Sequence, residues 1–252
     1  MSLTTPKNST VTDSRASVQH GEINYSVERL HTDDAERAHI RRELSAIKGQ
    51  YGIKNCTVLE VGCGLGSNLE VFQPDNKVVG IEGLEDAVAV ALSRGLEAHQ
   101  GDLESGLCLS GDSVDWVLCL DVLEHLENPI KLMVEIHRVL HVGGRVIINV
   151  PNHFDLTGRI KLLLGHDLDV HNFFPESHEW DNPHLRFFTH GGIRQLLRVA
   201  GFAIVEDRSA RFWSFPKGRF LERIGLRPIL RGLGLVKPAL FARGFLVIGQ
   251  RQ

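Results

Sequence analysis

The sequence predicts an α/β fold in which helices cover both faces of a parallel sheet, as in a doubly wound, Rossmann-like domain. Short apolar runs alternate with segments of helical periodicity through most of the chain. The apolar runs are rich in valine, isoleucine and leucine with little polar alternation, as expected for strands buried on both faces. Alternating strands and helices of this kind form parallel sheets.

The first half of the chain supplies four strands and two helices. Segment 33–48 begins with acidic residues and places apolar residues at helical spacing, so it predicts a surface helix. The first strand is a β-branched, apolar run, and Gly95 closes the second helix. In order, the elements after the first helix are strand 57–61, strand 77–81, helix 85–94, strand 96–99 and strand 113–120.

The second half continues the pattern. Helix 129–140 begins with proline in its first turn, and Gly143 and Gly144 lead into the next strand. Gly201 ends a further helix. The elements here are helix 129–140, strand 145–150, helix 190–200, strand 202–206 and strand 245–248.

Three closely spaced glycines follow the first strand and precede a segment with helical character. Glycine lacks a Cβ and adopts positive φ, so Gly62, Gly64 and Gly66 allow a ligand to lie directly against the backbone. A dinucleotide fingerprint requires glycine where Ser67 stands, which argues against NAD and an oxidoreductase. No GKS or GKT follows, so a Walker-type loop is excluded. A tight turn without a ligand is the alternative.

Acidic residues stand at three predicted strand ends. Open α/β sheets bind ligands at this edge. Glu60 ends the first strand, where a carboxylate suits a cofactor that carries an amine. Glu82 follows the second strand and can accept hydrogen bonds from both hydroxyls of a ribose, and Asp102 follows the third.

Composition limits the function classes. The 252 residues fit one large domain, predicted to span 25–252 after a disordered tail 1–24. A net charge of −3 gives no reason to expect nucleic acid as a partner. Four cysteines without a CxxC pair, and no apolar signal segment, predict a cytoplasmic protein.

The motifs VLEVGCGLG, VVGIE, GDLE, VDWVLCLDVLEHLENP and EIHRVLHVGGRVIINVPN occur in this order. With them, residues 57–249 resemble the class I S-adenosylmethionine (SAM) dependent methyltransferases. The resemblance implies a seven-stranded sheet whose last strand is antiparallel. It also implies SAM as cofactor and S-adenosylhomocysteine (SAH) as product.

The resemblance assigns roles along the SAM molecule. Glu60 and the glycines would contact its methionine part, and Glu82 its ribose. Asp102 and the Leu103 amide would contact the adenine edge, and Leu120 and Asp121 would border the methyl group. The complete predicted cofactor set is Glu60, Gly62, Cys63, Gly64, Gly66, Glu82, Gly83, Asp102, Leu103, Leu120 and Asp121.

Residues 150–189 show a narrower resemblance, to MetW proteins, which are associated with methionine biosynthesis and homoserine acyltransferase. VPN, RIKLLLG and PESHEWDNPHLRFFT support it, whereas DVLEHLENP is typical of general small-molecule methyltransferases and both chain ends are longer than in MetW. We therefore expect methyl transfer to oxygen or nitrogen of a small molecule, with sugar and lipid-linked acceptors as options. The alternative is a MetW-like accessory protein that partners a homoserine acyltransferase.

Histidines supply the candidates for acceptor chemistry. His125 follows the fourth strand, where an imidazole can take a proton near neutral pH, or can instead orient the cofactor loop. Insertion 151–189 is predicted to form a lid over the acceptor, or a polar loop with packed aromatics. It lacks HExxH or another short ligand pair, so no metal is predicted. The predicted acceptor-contacting residues are Asn152, His153, His178, Trp180 and His184.

Segment 208–243 is strongly basic, with nine lysine and arginine residues against one acid, Glu222. Gly225 and Pro228 must interrupt any helix in it. We expect this basic, apolar insertion to contact an anionic membrane surface or a lipid-like or phosphorylated acceptor. A capping subdomain with solvated arginines is the alternative. The oligomeric state is not predicted.

Overall fold

A computed structural model of the chain describes residue 30 and residues 38–166, 173–174, 179–180, 184–212, 232 and 235–252. The predicted tail 1–24 and most of the basic segment 208–243 lie outside these residues. The proposed domain limits and the membrane contact of the basic segment therefore stay predictions. Among the described residues, no helix combines the length and the apolar character that crossing a bilayer would require.

Nine strands are described, and seven of them form one sheet. They are β1 (Thr57–Val61), β2 (Lys77–Glu82), β3 (Glu97–Gln100), β4 (Val114–Leu120), β5 (Leu140–Pro151), β6 (Phe173–Phe174), β7 (Glu179–Trp180), β8 (Phe202–Asp207) and β9 (Gly244–Arg251). The large sheet has the order β3-β2-β1-β4-β5-β9-β8, and β6 and β7 form a separate antiparallel pair. The predicted seven-stranded sheet is confirmed.

The last strand has the predicted direction. β9 pairs antiparallel with β5 on one side and with β8 on the other. The pairs β1–β2, β1–β4, β2–β3 and β4–β5 are parallel. Because β9 is inserted next to β5, its first residue, Gly244, lies opposite Pro151 at the carboxyl end of β5.

Helices cover both faces of the sheet. They are α1 (Ala38–Tyr51), α2 (Glu85–Ser93), α3 (Pro129–Val139), α4 (Leu156–Leu163), α5 (His190–Val199) and the four-residue α6 (Pro238–Phe241). α1 and α2 pack on one face and α3 and α5 on the other. β4 shows the division, since Trp116 and Leu118 belong to the core under α1 while Val117 and Cys119 belong to the core under α3. The doubly wound fold is confirmed.

Most element boundaries differ from the sequence-based prediction by at least one residue, and the differences at β5 and α1 have a clear structural basis. β5 begins at Leu140 rather than at 145, with a register shift where Val114 pairs with Leu140 and Trp116 with Arg145. The additional residues bulge around Gly143, whose φ is 80°. α1 continues to Tyr51, beyond the predicted 48, because its last turn packs on the sheet through a Tyr51–Trp116 ring contact at 5.4 Å.

A buried arginine fastens α1 to β8. Arg208 is 2% exposed and donates to Glu206 Oε1 at 2.8 Å, to Glu43 Oε2 at 3.3 Å and to Gln50 Oε1. Tyr51 donates to the same Glu206 carboxylate at 2.8 Å. Because buried charges require such partners, this network fixes the position of α1 relative to β8.

Gly66 and Gly95 form a matched pair for a stability test, since their φ angles are 82° and 77°. A Cβ on Gly66 would lie 2.2 Å from Leu96 Cδ1, whereas a Cβ on Gly95 would meet nothing within 4 Å. We expect Gly95→Ala to cost about 1 kcal/mol for the backbone conformation alone. Gly66→Ala should cost about 3 kcal/mol, because the buried Leu96 must also move.

Urea unfolding of the cofactor-free variants measures the two costs. Similar losses for both alanine variants would mean that the Leu96 contact does not constrain the turn.

Candidate functional site

The glycine turn after β1 is held by the end of β2. The amides of Gly62 and Cys63 donate to Ile81 O at 2.8 and 3.1 Å. Gly62, Gly64 and Gly66 all have positive φ, between 52° and 82°. Glycine is favoured at each because other residues are strained there. The turn is thus a rigid loop, half-buried at Gly62 and Gly64.

Glu82 joins this turn to β2. Its Oε2 accepts from the Gly64 amide at 2.8 Å, and its Oε1 accepts from the amides of Gly83 and Leu84 at 2.8 and 3.1 Å. Oε2 retains acceptor capacity, because each oxygen has two lone pairs and only Oε1 uses both. Glu82 therefore has a structural role beside the predicted ribose contact.

The expected helix after the glycine turn is not present. The chain instead makes two short 3-10 helices, Leu69–Val71 and Gln73–Asp75. Gly66 in the left-handed conformation and Pro74 interrupt the segment, so no long helix can form between them. The described turn therefore does not lead directly into a long α-helix.

The backbone at two glycines leaves room for a cofactor. A Cβ on Gly64 would meet only Leu30 Cδ2 at 3.7 Å, and a Cβ on Gly83 would meet only Gly101 O at 4.0 Å. Glu60, which is 1% exposed, accepts from Asn68 Nδ2 at 2.8 Å beside this strip. Exposed backbone between carboxylates suits a ligand with an amine and hydroxyls, so the residues present fit SAM.

The loop after β3 is fixed to α3. Asp102 closes it locally, accepting from the Glu104 amide at 2.9 Å and from Ser105 Oγ at 2.6 Å. Glu135 accepts from the Leu107 amide at 3.0 Å and from Arg138 Nη2 at 2.8 Å. The loop carrying the predicted adenine contacts, Asp102 and Leu103, is therefore anchored at both ends.

The carboxyl ends of β4 and β5 meet at Asp121 and Asn149. Asp121 has a φ of 54°, unusual for a residue other than glycine, and its amide donates to Asn149 O at 2.9 Å. Asn149 Nδ2 donates to Asp121 Oδ1 at 2.5 Å. Strained backbone of this kind is concentrated at functional sites. Leu120, immediately before, has its side chain in the core.

A cavity of about 620 Å³ opens in front of this pair, and we call it the β4–β5 cavity. Its floor is formed by Asp121, Asn149, Pro151 and Gly244. Its described walls come from the start of α1, the turn after β8 and the residue before β9. These wall residues are His39, Ile40, Arg42, Glu43, Arg211 and Arg243.

Three histidines from distant parts of the sequence lie together. His125, in the 3-10 helix Leu123–His125, has its ring centroid 4.8 Å from that of His184. His153 Nε2 lies 3.0 Å from His184 Nδ1. The backbone carbonyl of Glu124 holds this part of the insertion by accepting from the amides of Leu185 and Arg186. The fold thus joins the predicted base to two predicted lid residues.

The same cluster has a spacing compatible with a metal ion. Glu124, His125 and His184 each offer a ligand atom within 4.8 Å of the others. The sequence shows no ligand motif, because these residues approach one another only in the fold. The expectation that no metal is used stays a prediction.

Other predicted site residues have structural positions. Asn152 is 6% exposed, and its amide donates to Ala239 O and Ala242 O and accepts from the Phe154 amide, which argues against an acceptor contact. The Cys63 side chain is buried, and burial raises the pKa of its thiol, so only its backbone faces the turn. His178 and the Trp180 side chain lie outside the described residues.

Asn149 and the arginines of the cavity wall are not among the site residues predicted from the sequence. A signal for Asn149 existed, since it is the polar residue within the apolar run of β5. Arg211 and Arg243 were noted only as part of a basic segment. Arg42 had no distinguishing signal in its helix, because only the tertiary fold places it near β5.

Comparisons with known proteins point to one family. A family model described as "Methyltransferase domain" matches residues 29–207. A probable S-adenosylmethionine-dependent methyltransferase from Mycolicibacterium smegmatis is 31% identical over 153 residues, covering 60% of this chain and 52% of that protein. A ubiquinone biosynthesis O-methyltransferase from Pseudomonas paraeruginosa is 33% identical over 120 residues, with 42% and 49% covered.

The chain spans about half the length of these curated relatives. Among solved structures, an S-adenosylmethionine dependent methyltransferase from Mesorhizobium loti matches with a TM-score of 0.54 and 18% identity. That match covers 79% of this chain and 92% of the other. At this identity the similarity supports the fold alone.

Glu135 makes the anchoring of the β3 loop testable by pH. The hydrogen bond from Arg138, together with that from Leu107, lowers the pKa of Glu135 from 4.5 to about 2. A carboxylate with a lowered pKa stabilises the fold above its unfolded pKa, and the contribution is lost as the pH falls toward the folded value. We expect Glu135→Gln to cost about 1–2 kcal/mol at pH 7 and clearly less at pH 3.

Chemical denaturation at the two pH values measures this difference, with the exposed Glu127→Gln as the control. A cost for Glu135→Gln that does not change with pH would contradict the assignment.

Proposed function

The chain belongs to the methyltransferase domain family, and on this premise we propose that it transfers a methyl group from SAM to an oxygen or nitrogen of a small molecule. The names of its relatives support the reaction, since they are a SAM-dependent methyltransferase and a ubiquinone biosynthesis O-methyltransferase. The size of the β4–β5 cavity supports a small acceptor, because pockets for such ligands have volumes of about 300–1,000 Å³.

SAM, when bound, supplies a sulfonium methyl group that is open to in-line attack. We assign Glu60 and the glycine turn to its methionine part, Glu82 and Gly83 to its ribose, and the loop at Asp102 and Leu103 to its adenine. Asp121 would border the methyl end. These assignments follow the order in which the strand ends lie along the sheet, from β4 through β1 and β2 to β3.

The main observation in favour is the position of the β4–β5 cavity. It lies at the carboxyl ends of β4 and β5, and Asp121, the residue assigned to the methyl end, forms part of its floor. An acceptor in this cavity would stand next to the group to be transferred. Because in-line displacement depends chiefly on positioning, a preformed cavity at this place provides much of what the reaction needs.

His125 is the candidate general base. Its ring lies next to that of His184, and His184 Nδ1 lies 3.0 Å from His153 Nε2, so the three imidazoles form a chain. Such a chain can hold an imidazole in one orientation and pass a proton toward the outside. We infer that His153 and His184 position His125 and cover the acceptor from the insertion side.

The relatives reported above give no support to the MetW-like alternative, since none of them bears that name. Sugar and lipid-linked acceptors remain options for the proposed reaction.

Glu82 provides the test of the cofactor assignment. We expect Glu82→Ala to weaken SAH binding by about 2 kcal/mol, or roughly 30-fold, through loss of hydrogen bonds to a charged group. Isothermal titration calorimetry measures the affinity, and the exposed Glu97→Ala is the control.

A deoxy analogue separates the ribose contact from the role of Glu82 in the turn. SAH lacking its 2′-hydroxyl should bind the wild type more weakly than SAH does, and the two should bind Glu82→Ala alike. A deoxy penalty that persists in Glu82→Ala would rule out the ribose assignment.

His125→Ala distinguishes a base from an orienting residue. If His125 takes the proton, kcat should fall by about 10²–10⁴-fold while SAH affinity stays unchanged. Transfer of a labelled methyl group from SAM to phenols, amines and sugar hydroxyls measures turnover. The exposed His141→Ala is the control. A parallel fall in SAH affinity would instead support the orienting role.

A further inference from the structure

We propose that the β4–β5 cavity selects an acceptor carrying an anionic group, a carboxylate or a phosphate, and holds that group with Arg42, Arg211 and Arg243. The end of the acceptor that carries the nucleophile donates a hydrogen bond to the side-chain oxygen of Asn149. This inference rests on the proposed function, because it names the chemical class of the acceptor at the same site.

One hydrogen-bond acceptor at the floor of the cavity has no donor within the described part of the chain. Asn149 is 6% exposed, and its Oδ1 has no hydrogen-bond partner within the described part of the chain. Its Nδ2 is used by Asp121, which fixes the orientation of the amide. A buried amide oxygen without a partner costs about 1–3 kcal/mol. A ligand N–H or O–H at this oxygen would remove that cost.

Gly244 lies beside Asn149 at the floor, and both residues line the cavity. A Cβ at position 244 would lie 3.4 Å from Asn149 Oδ1 and 3.1 Å from Val150 O. Any side chain there would therefore crowd the orphan oxygen. The missing Cβ at the first residue of β9 avoids this contact.

The walls of the cavity carry an excess of positive charge. Arg42, Arg211 and Arg243 line it, and all three are exposed. Guanidinium groups match carboxylates and phosphates with paired hydrogen bonds. The cavity wall thus has the chemistry that an anion requires.

The acidic residues of the lining offset only part of this charge. Glu43 is shared between Arg211 and Arg208, each at 3.3 Å, and Arg208 is not part of the described lining. Asp121 lies at the floor, where it accepts from Asn149. The described wall therefore carries three arginines against one carboxylate, and its charge is positive.

Floor and wall together define a ligand with two different ends. One end donates a hydrogen bond and carries the nucleophile, and the other end is anionic. A soluble metabolite or the headgroup of a phospholipid could each supply the anion. Both sources present the same anionic group to the arginines, and the experiment separates the two sources.

The test begins with protein saturated with SAH. Calorimetric titration compares benzoate and phenyl phosphate with their neutral counterparts, benzamide and benzyl alcohol. We expect each anion to bind roughly tenfold more tightly than its neutral counterpart. The Arg42→Gln/Arg243→Gln double variant should lose this preference, and Arg198→Gln, an exposed arginine of α5 that does not line the cavity, should retain it.

Hydroxylated benzoates test the floor. At least one of 3-hydroxybenzoate and 4-hydroxybenzoate should bind the wild type roughly tenfold more tightly than benzoate. Asn149→Ala should remove that gain and leave benzoate binding unchanged. A gain that persists in Asn149→Ala would overturn the assignment of the floor.

Sedimentation with vesicles of phosphatidylcholine and phosphatidic acid identifies the source of the anion. If the wild type pellets with the vesicles and the double arginine variant does not, the anionic group belongs to a lipid headgroup. If anions bind but the protein does not pellet, the anionic group belongs to a soluble molecule. Equal affinity for charged and neutral ligands would overturn the proposal, and so would no anion binding up to about 10 mM. Failure of SAH itself to bind would instead refute the proposed function.

Discussion

The Glu82 carboxylate is the contact on which the ligand edge of the sheet depends. It accepts hydrogen bonds from the amides of Gly64, Gly83 and Leu84, and so connects the turn after β1 with the turn after β2. Three positive-φ glycines would otherwise give the first turn considerable freedom. Glu82 holds Gly64, while the amides of Gly62 and Gly66 donate to Ile81 O and Cys63 O. These hydrogen bonds within the protein order the turn, and an ordered binding loop lowers the entropy cost of binding.

Much of the fold could be predicted because local pattern and tertiary role agree. β1 has the predicted limits, and most other elements differ by one to a few residues at their ends. The antiparallel direction of β9 was predicted from the family resemblance. Periodicity does not predict it, since the apolar pattern of a strand is the same in parallel and antiparallel sheets. A helix was expected after Gly66 and is not present. Its absence could not be predicted from the sequence, because the packing of a left-handed glycine on Leu96 is a tertiary feature.

Some site residues could likewise be predicted from the sequence, and others could not. The acids at strand ends were found because sheet topology alone places them at the ligand edge. Arg42, Arg211 and Arg243 could not be assigned to one cavity, because their proximity depends on α1 lying over β5 and on β9 being inserted beside it. The Arg208 network that fixes α1 joins residues far apart in sequence. No local pattern encodes such a contact.

This division separates cofactor binding from acceptor choice. The proposed cofactor contacts lie in the recurring motifs and act largely through backbone and carboxylates. The three arginines lie outside these motifs, on α1, on the turn after β8 and before β9. Substitution there can change the charge of the wall without disturbing the Glu82 contacts. Asp121 and Asn149, which join the two halves, belong to the motifs. In the proposed complex, residues of the motifs position the nucleophile, whereas residues outside the motifs select the charge of the acceptor.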